Sequence, residues 1–154
     1  MAKKDSTNML VDRFRAAGFK ITPQRMAVFQ FLEGNTSHPS AFEVYEVVKR
    51  RFSTTSFATI YNTLNAAQEM GLVLELTIDP KKRHFDPNTS PHHHILCMKC
   101  RRIDDVRGKV FGDFNIDSFE IGDYQVTGFG VDFHGVCPKC RAQQHYEDGL
   151  MPTG

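Results

Sequence analysis

Two Cys-x-x-Cys pairs, Cys97 with Cys100 and Cys137 with Cys140, stand 36 residues apart in a chain of 154. No other feature restricts the fold as much. If the pairs share one tetrahedral ion, two distant points of the chain must meet within a few ångströms, and the intervening residues must fold back to allow it. A redox reading needs only one pair, ideally opening a helix that acidifies one thiol. Here each pair follows a strand-like stretch, HHHIL before Cys97 and FHGV before Cys137. A structural zinc held by Cys97, Cys100, Cys137 and Cys140 is the preferred reading, ahead of a redox disulfide or unpaired core cysteines.

Three histidines precede the first pair. His92 and His94, two apart, share one face of a strand, and His93 points the other way. Asp86, Asp104 and Asp105 lie close by in sequence. Imidazole and carboxylate together accept Fe(II), Mn(II), Co(II) or Zn(II), unlike an all-thiolate site. A solvated strand edge is the alternative, and spacing alone does not choose between the aspartates.

Hydrophobic content of 40% with 24% charged residues describes a soluble globular chain and excludes a disordered one. No apolar run approaches the roughly 20 residues of a membrane helix. The opening MAKKDSTNMLVDRF has no secretory core, which implies a cytoplasmic address. Residues 1–84 carry 12 basic against 8 acidic side chains, whereas residues 85–154 carry 7 against 10. A basic first half suits a nucleic-acid module joined to something else.

The first half reads as helices followed by a hairpin. Thr22 caps a helix with Pro23 at its first position. Phe42, Tyr45, Val48 and Phe52 recur at helical steps. Ser56 caps a third helix, with Ile60, Leu64 and Ala67 on one face and Gly71 at its end. Leu74, Leu76 and Ile78 alternate with polar residues as a strand, Asp79-Pro80-Lys81-Lys82 turns, and RHFD returns. This order fits an α+β protein that begins with a winged helix-turn-helix, and equally any small α+β domain. DPNTSP, residues 86–91, is the expected hinge. Beyond it, CRRIDDV and YQVTGFGVDFHGV read as strands with a short helix between them, and RAQQHYEDGLMPTG reads as a frayed end.

Six motifs in register resemble the Fur (ferric uptake regulator) family of bacterial metal-dependent repressors. They are Gly18-Phe19-Lys20-Ile21-Thr22-Pro23-Gln24-Arg25, His38-Pro39, Ser56 to Leu64, Gly71-Leu72-Val73, the His92-to-Cys100 run and the final cysteine pair. The resemblance covers about residues 10–141. It implies a winged-helix DNA-binding domain over 1–85, the hinge, a C-terminal α/β dimerisation and metal-binding domain over 92–145, and a flexible tail over 146–154. It also implies a homodimer without membrane attachment, a four-cysteine zinc site, and a regulatory Fe(II) or Mn(II) held by His38, Asp86, His92, His94 and Asp105.

Aspartate at both 86 and 105, with Tyr61-Asn62, most resembles the peroxide-sensing PerR branch. That branch implies Fe(II)-catalysed oxidation of the residues matching His38 and His92. The competing reading is an iron- or manganese-responsive regulator of metal homeostasis. A zinc hydrolase lacks its His-Glu-x-x-His helix here, and a thiol oxidoreductase would need its cysteines free, so an enzyme is not expected. Pro91 and His93 stand where many Fur proteins carry an additional metal site, which implies its absence. His134 is expected on a strand surface, and Phe42 stands where the family is usually polar.

The expected ligand is a palindromic, A·T-rich double-stranded operator. Thr59, Asn62, Thr63 and Ala66 are expected on the exposed face of the recognition helix, with Asn62 suited to a two-point contact with adenine. The resemblance places Tyr61 on thymine methyls and Lys20 in the minor groove. Ser56, Lys81, Lys82 and Arg83 would serve phosphates.

Overall fold

A computed structural model describes residues 2–107, 122–125 and 130–148. They fall into two compact units, Met1–Ser90 and Pro91–Gly154.

The first unit opens with α1 (Ala2–Ala16), a helix unannounced by any strong apolar period. Val11 and Phe14, one turn apart, are its anchors in the core, and the Phe14 ring meets Phe29 edge-on at 5.0 Å. In α2 (Pro23–Leu32) the Thr22 hydroxyl accepts the Arg25 amide at 3.3 Å, and Pro23 opens the helix. Before α3 (Ala41–Arg51), Ser40 and Glu43 form a reciprocal capping box, and three basic residues close the helix where its dipole is negative. Ser56 caps α4 (Phe57–Glu69) through the Thr59 amide at 3.1 Å.

Gly71 ends α4 at φ +66°, a conformation glycine adopts without strain. Its N–H reaches the Gln68 carbonyl and that of Leu72 reaches Ala67, the two bonds of a Schellman stop. Then β1 (Leu74–Leu76) pairs antiparallel with β2 (His84–Asp86), Leu74 opposite Asp86. Between them Asp79 accepts the Lys81 amide on its side chain, the turn expected at Asp79-Pro80. Helices α2 to α4 followed by this hairpin make a winged helix-turn-helix. Its core is built from Phe14, Phe29, Leu32, Val44, Val48, Ile60, Leu64, Val73 and Phe85, all at most 1% exposed.

Two helical faces differ from expectation. The buried stripe of α3 is Ala41, Val44 and Val48, and Phe42 lies 61% exposed. Each three-residue step lags a full turn by about 60°, so Phe42 and Val48, two steps apart, diverge by about 120°. On α4, Thr63 and Ala66 are buried beside Ile60, Leu64 and Ala67, not exposed. Thr63 tolerates burial because its hydroxyl donates to the Thr59 carbonyl at 2.7 Å.

The second unit is a three-stranded sheet in the order β4-β3-β5. β3 (His93–Cys97) runs antiparallel to β4 (Ile103–Val106) and parallel to β5 (Asp132–Gly135). A helix, α5 (Pro138–Asp148), follows. It overturns the reading of RAQQHYED as a frayed end. Helix formation here starts from Pro138 at the first position and the Arg141 N–H bonded to the Cys137 carbonyl at 2.9 Å, signals that a search for apolar period passes over. The short helix expected between the strands, and residues 149–154, lie outside the described residues. Among the described residues no helix is long and apolar enough to cross a membrane.

Candidate metal centres and nucleic-acid face

The four cysteine sulfurs converge in the second unit, all within 4.8 Å of one another. Cys97 ends β3, Cys100 closes the following turn, and Cys137 and Cys140 flank the start of α5. Cys100 Sγ and Cys137 Sγ are 3.8 Å apart and no disulfide joins the set. Four sulfurs at 2.3 Å from a tetrahedral zinc would be about 3.8 Å apart, so the spacing fits that ion.

Electrostatics favour a dication as well. Burial pushes the Cys97 thiol up, yet amide hydrogen bonds from Cys137, Cys100 and Lys99 outweigh it and bring the group down to about 6. Cys140 is pushed up to about 12, by burial first and then by hydrogen bonds to the other three sulfurs and the charge on Cys100. Within the cluster Cys97 is therefore the readier thiolate and Cys140 the more reluctant one. Closed four-thiolate coordination leaves no open position for substrate.

Each unit also gathers nitrogen and oxygen donors. In the first, His38 Nε2 lies 3.6 Å from Asp86 Oδ2, with both side chains buried. In the second, His94 sits directly across from Asp105 in the β3–β4 register. Asp105 Oδ1 is 3.2 Å from His92 Nε2 and 3.9 Å from His94 Nε2, and the two rings lie 4.4 Å apart. Asp104 points elsewhere, to Arg102, as alternation along β4 requires. His93 also turns away, its Nδ1 accepting the Val131 amide at 3.2 Å. His134 is exposed on β5.

One buried pair carries no sequence signal. His38 is held at φ +49°, a left-handed conformation costing a non-glycine residue roughly 1–2 kcal/mol. Its carbonyl lies 2.7 Å from His84 Nδ1, and a carbonyl only accepts, so that nitrogen carries the proton. His84 Nε2 in turn lies 3.5 Å from Asp79 Oδ2, and the Phe85 amide fastens Pro39 at 2.9 Å. The wing thus clamps the segment that presents His38. Replacing His84 with alanine should destabilise the first unit by about 3 kcal/mol, since it opens a ring-sized hole and strands a buried carbonyl. Urea denaturation followed by circular dichroism would read this, and a cost below about 1 kcal/mol would deny the clamp.

Lys20, Ser56 and Asn62 are exposed and Thr59 and Tyr61 partly so, on the loop before α2 and on α4. The Ser56 hydroxyl lies 2.9 Å from that of Thr59. Lys81 and Lys82 are exposed at the tip of the wing. Arg83 departs from the phosphate role expected of it. Its guanidinium grips both oxygens of Glu75 at 2.5 Å, bonds the Tyr61 hydroxyl and lies 5.2 Å from the Tyr61 ring centroid. Arg83 thereby ties the wing to the recognition helix and holds the Glu75 carboxyl below its ordinary range.

Residues 16–121 match the model of the ferric uptake regulator family. The peroxide-responsive repressor PerR of Staphylococcus epidermidis is 37% identical over 129 residues, 84% of this chain and 86% of that protein. Among solved structures, the ferric uptake regulator of Francisella tularensis with iron superposes at a TM-score of 0.69 and 26% identity, covering 80% of this chain and 96% of that one. PerR from Streptococcus pyogenes superposes at 0.51 with 29% identity, covering 88% and 92%. Two convergent donor sets, a winged helix and these likenesses agree: the chain belongs to the ferric uptake regulator family, most like its PerR branch, and is a transcriptional regulator, not an enzyme.

Proposed function

We propose that this protein is a homodimeric, metal-dependent repressor that binds palindromic A·T-rich operators in the cytoplasm and is inactivated by hydrogen peroxide. The observation that carries the reading is the nitrogen and oxygen donor sets: His38 with Asp86, and His92 with His94 and Asp105. We assign all five to one regulatory Fe(II) or Mn(II), and Cys97, Cys100, Cys137 and Cys140 to structural Zn(II). Imidazole and carboxylate suit Fe(II) and Mn(II), whereas the thiolates suit zinc. Two aspartates in the set and relatives named as peroxide-responsive repressors support sensing of peroxide.

His38 stands two residues before the N-cap of α3 and Asp86 ends the wing, so both belong to the DNA-binding unit. Closing the two donor sets on one ion fixes the spread of the two winged helices in a dimer. Recognition helices must sit one helical turn or a multiple of it apart to enter successive major grooves. There Lys20, Ser56, Thr59, Tyr61 and Asn62 meet the duplex.

Held by these residues, Fe(II) would supply redox chemistry toward peroxide, giving one electron and regaining one from the ring, so that peroxide and the imidazole exchange two electrons overall. The net change is one oxygen gained at an imidazole carbon of His38 or His92, while the second peroxide oxygen leaves as water. An oxidised ring is a poorer donor, so the metal and the operator are released. Peptide-resolved mass spectrometry of the anaerobic Fe(II)-loaded protein, before and after one equivalent of peroxide, tests this. The expected result is added oxygen on the peptides of His38 or His92 with the zinc cysteines unchanged. Unmodified histidines would instead indicate a regulator of iron or manganese homeostasis, and a cysteine disulfide with zinc loss would indicate thiol chemistry.

A further inference from the structure

Phe42 and Phe57 are 61% and 42% exposed at the starts of α3 and α4, and neither belongs to the core. They are parts of a continuous strip of four rings. Phe42 lies 6.2 Å from Tyr45, Tyr45 meets Phe57 edge-on at 5.6 Å, and Phe57 lies 6.0 Å from Tyr61. Beside the strip opens a groove of about 270 Å³, with Phe42, Phe57 and Tyr61 on its floor and Lys82 and Arg83 on its wall.

The edges of this strip are cationic. Lys49 lies 5.0 Å above the Tyr45 ring, and Lys82 is exposed. Of the neighbouring acids, Glu43 is engaged by the Ser40 amide and hydroxyl and Glu75 by Arg83, while the charge of Glu46 acts on Lys49. An apolar floor with cationic edges suits a partner that alternates apolar and anionic groups along its length. A DNA strand does so, deoxyribose by phosphate. Tyr61, which lines the groove, directly precedes the exposed Asn62 on α4.

We propose that Phe42 and Phe57 form a platform on which one deoxyribose–phosphate strand of duplex DNA packs, with Lys82 meeting a flanking phosphate. The inference rests on the operator-binding reading above and adds to it a contact that is blind to sequence. It also gives the exposed Phe42 a role.

The test uses the full-length, zinc- and Mn(II)-loaded protein and a duplex that it selects from a randomised pool, with a scrambled duplex for comparison. Phe42→Ala should weaken binding to both about tenfold, the lower end of what burying a phenylalanine ring contributes. The ratio between the duplexes and the slope of affinity with salt should stay those of the parent, because no ion pair is lost. Asn62→Ala, by contrast, should change the ratio. Melting temperature controls for folding.

If Phe42→Ala binds both duplexes like the parent while Asn62→Ala and chelation still act, the platform is wrong and the operator reading stands. A loss confined to the selected duplex, and abolished when its thymines are replaced by uracils, would mean that the ring reads methyl groups, which also overturns the proposal. A loss of dimer in sedimentation would assign the strip to protein contact instead. Selection of no duplex at all would overturn the operator reading itself.

Discussion

Replacing Cys97 with serine is expected to empty the thiolate site and unfold the second unit while leaving the helices of the first intact. Among the described residues, the buried apolar side chains of that unit are few: Leu96 and Ile103, with Cys97, Cys137 and Cys140 as a cluster of their own. Three of these five are cysteines, so an ion joining their sulfurs would staple a large share of what the described residues bury. Structural zinc supplies about 10–16 kcal/mol in zinc-finger peptides, comparable to or above the 5–15 kcal/mol that holds a whole domain. A serine hydroxyl stays protonated at neutral pH and does not replace a thiolate, so losing one ligand forfeits most of that energy.

The expected readouts are zinc content near zero by elemental analysis and rapid hydrogen exchange across β3 to α5, with α1 to α4 still protected. The proton balance gives a second check. With Cys140 pushed up to about 12, zinc loading at pH 7 must release its proton, and lowering the pH must release zinc. Cys97, brought down to about 6 despite its burial by the amides of Cys137, Cys100 and Lys99, gives up its proton more readily. A Cys97→Ser protein that keeps its exchange protection without zinc would contradict a structural role.

His38→Ala should uncouple the metal from DNA. Linkage between two sites in one protein typically spans about 5–150-fold, and it is reciprocal. For the parent, saturating Mn(II) should tighten operator binding by a factor in that range, and the operator should tighten Mn(II) by the same factor. In the variant both factors should fall to one, leaving DNA affinity at the level of the metal-free parent. The reason lies in placement: His38 is buried within the winged helix, clamped through its carbonyl to His84 on the wing, so a metal bound to its ring would act on the DNA-reading unit itself. Fluorescence anisotropy with and without Mn(II), and Mn(II) titrations with and without duplex, give both halves of the cycle. Full metal enhancement in His38→Ala would remove His38 from the circuit.

Local rules made much of the architecture legible. Caps at Thr22 and Ser56, the glycine stop at Gly71 and the Asp79-Pro80 turn each depend on a few neighbouring residues, and each forms as those neighbours dictate. The i, i+2 placement of His92 and His94 put both rings on one face because strand alternation is a local property. Where the reading failed, a non-local partner decided. Phe42 recurs at helical steps yet is exposed, because the core meets α3 along Ala41, Val44 and Val48. Thr63 is polar yet buried, because α4 turns it toward the helices it packs on, and the carbonyl one turn back satisfies its hydroxyl. Arg83 passes for a phosphate ligand until Glu75, eight residues away, comes across the hairpin to meet it.

What the sequence determined by itself is the kind of chemistry available: thiolates at metal spacing, imidazoles at strand spacing, and capped helices ahead of a turn. These depend on residue type and short separations. Where residue type and spacing left equivalent candidates, it took the tertiary structure to bring particular ones together. It brought Asp105 and not Asp104 to the histidines, gathered four sulfurs from two ends of one unit, and set His84 and Asp79 behind His38. The physical reason is that such choices rest on strand register and chain return, where contacts between residues tens of positions apart outweigh any local preference.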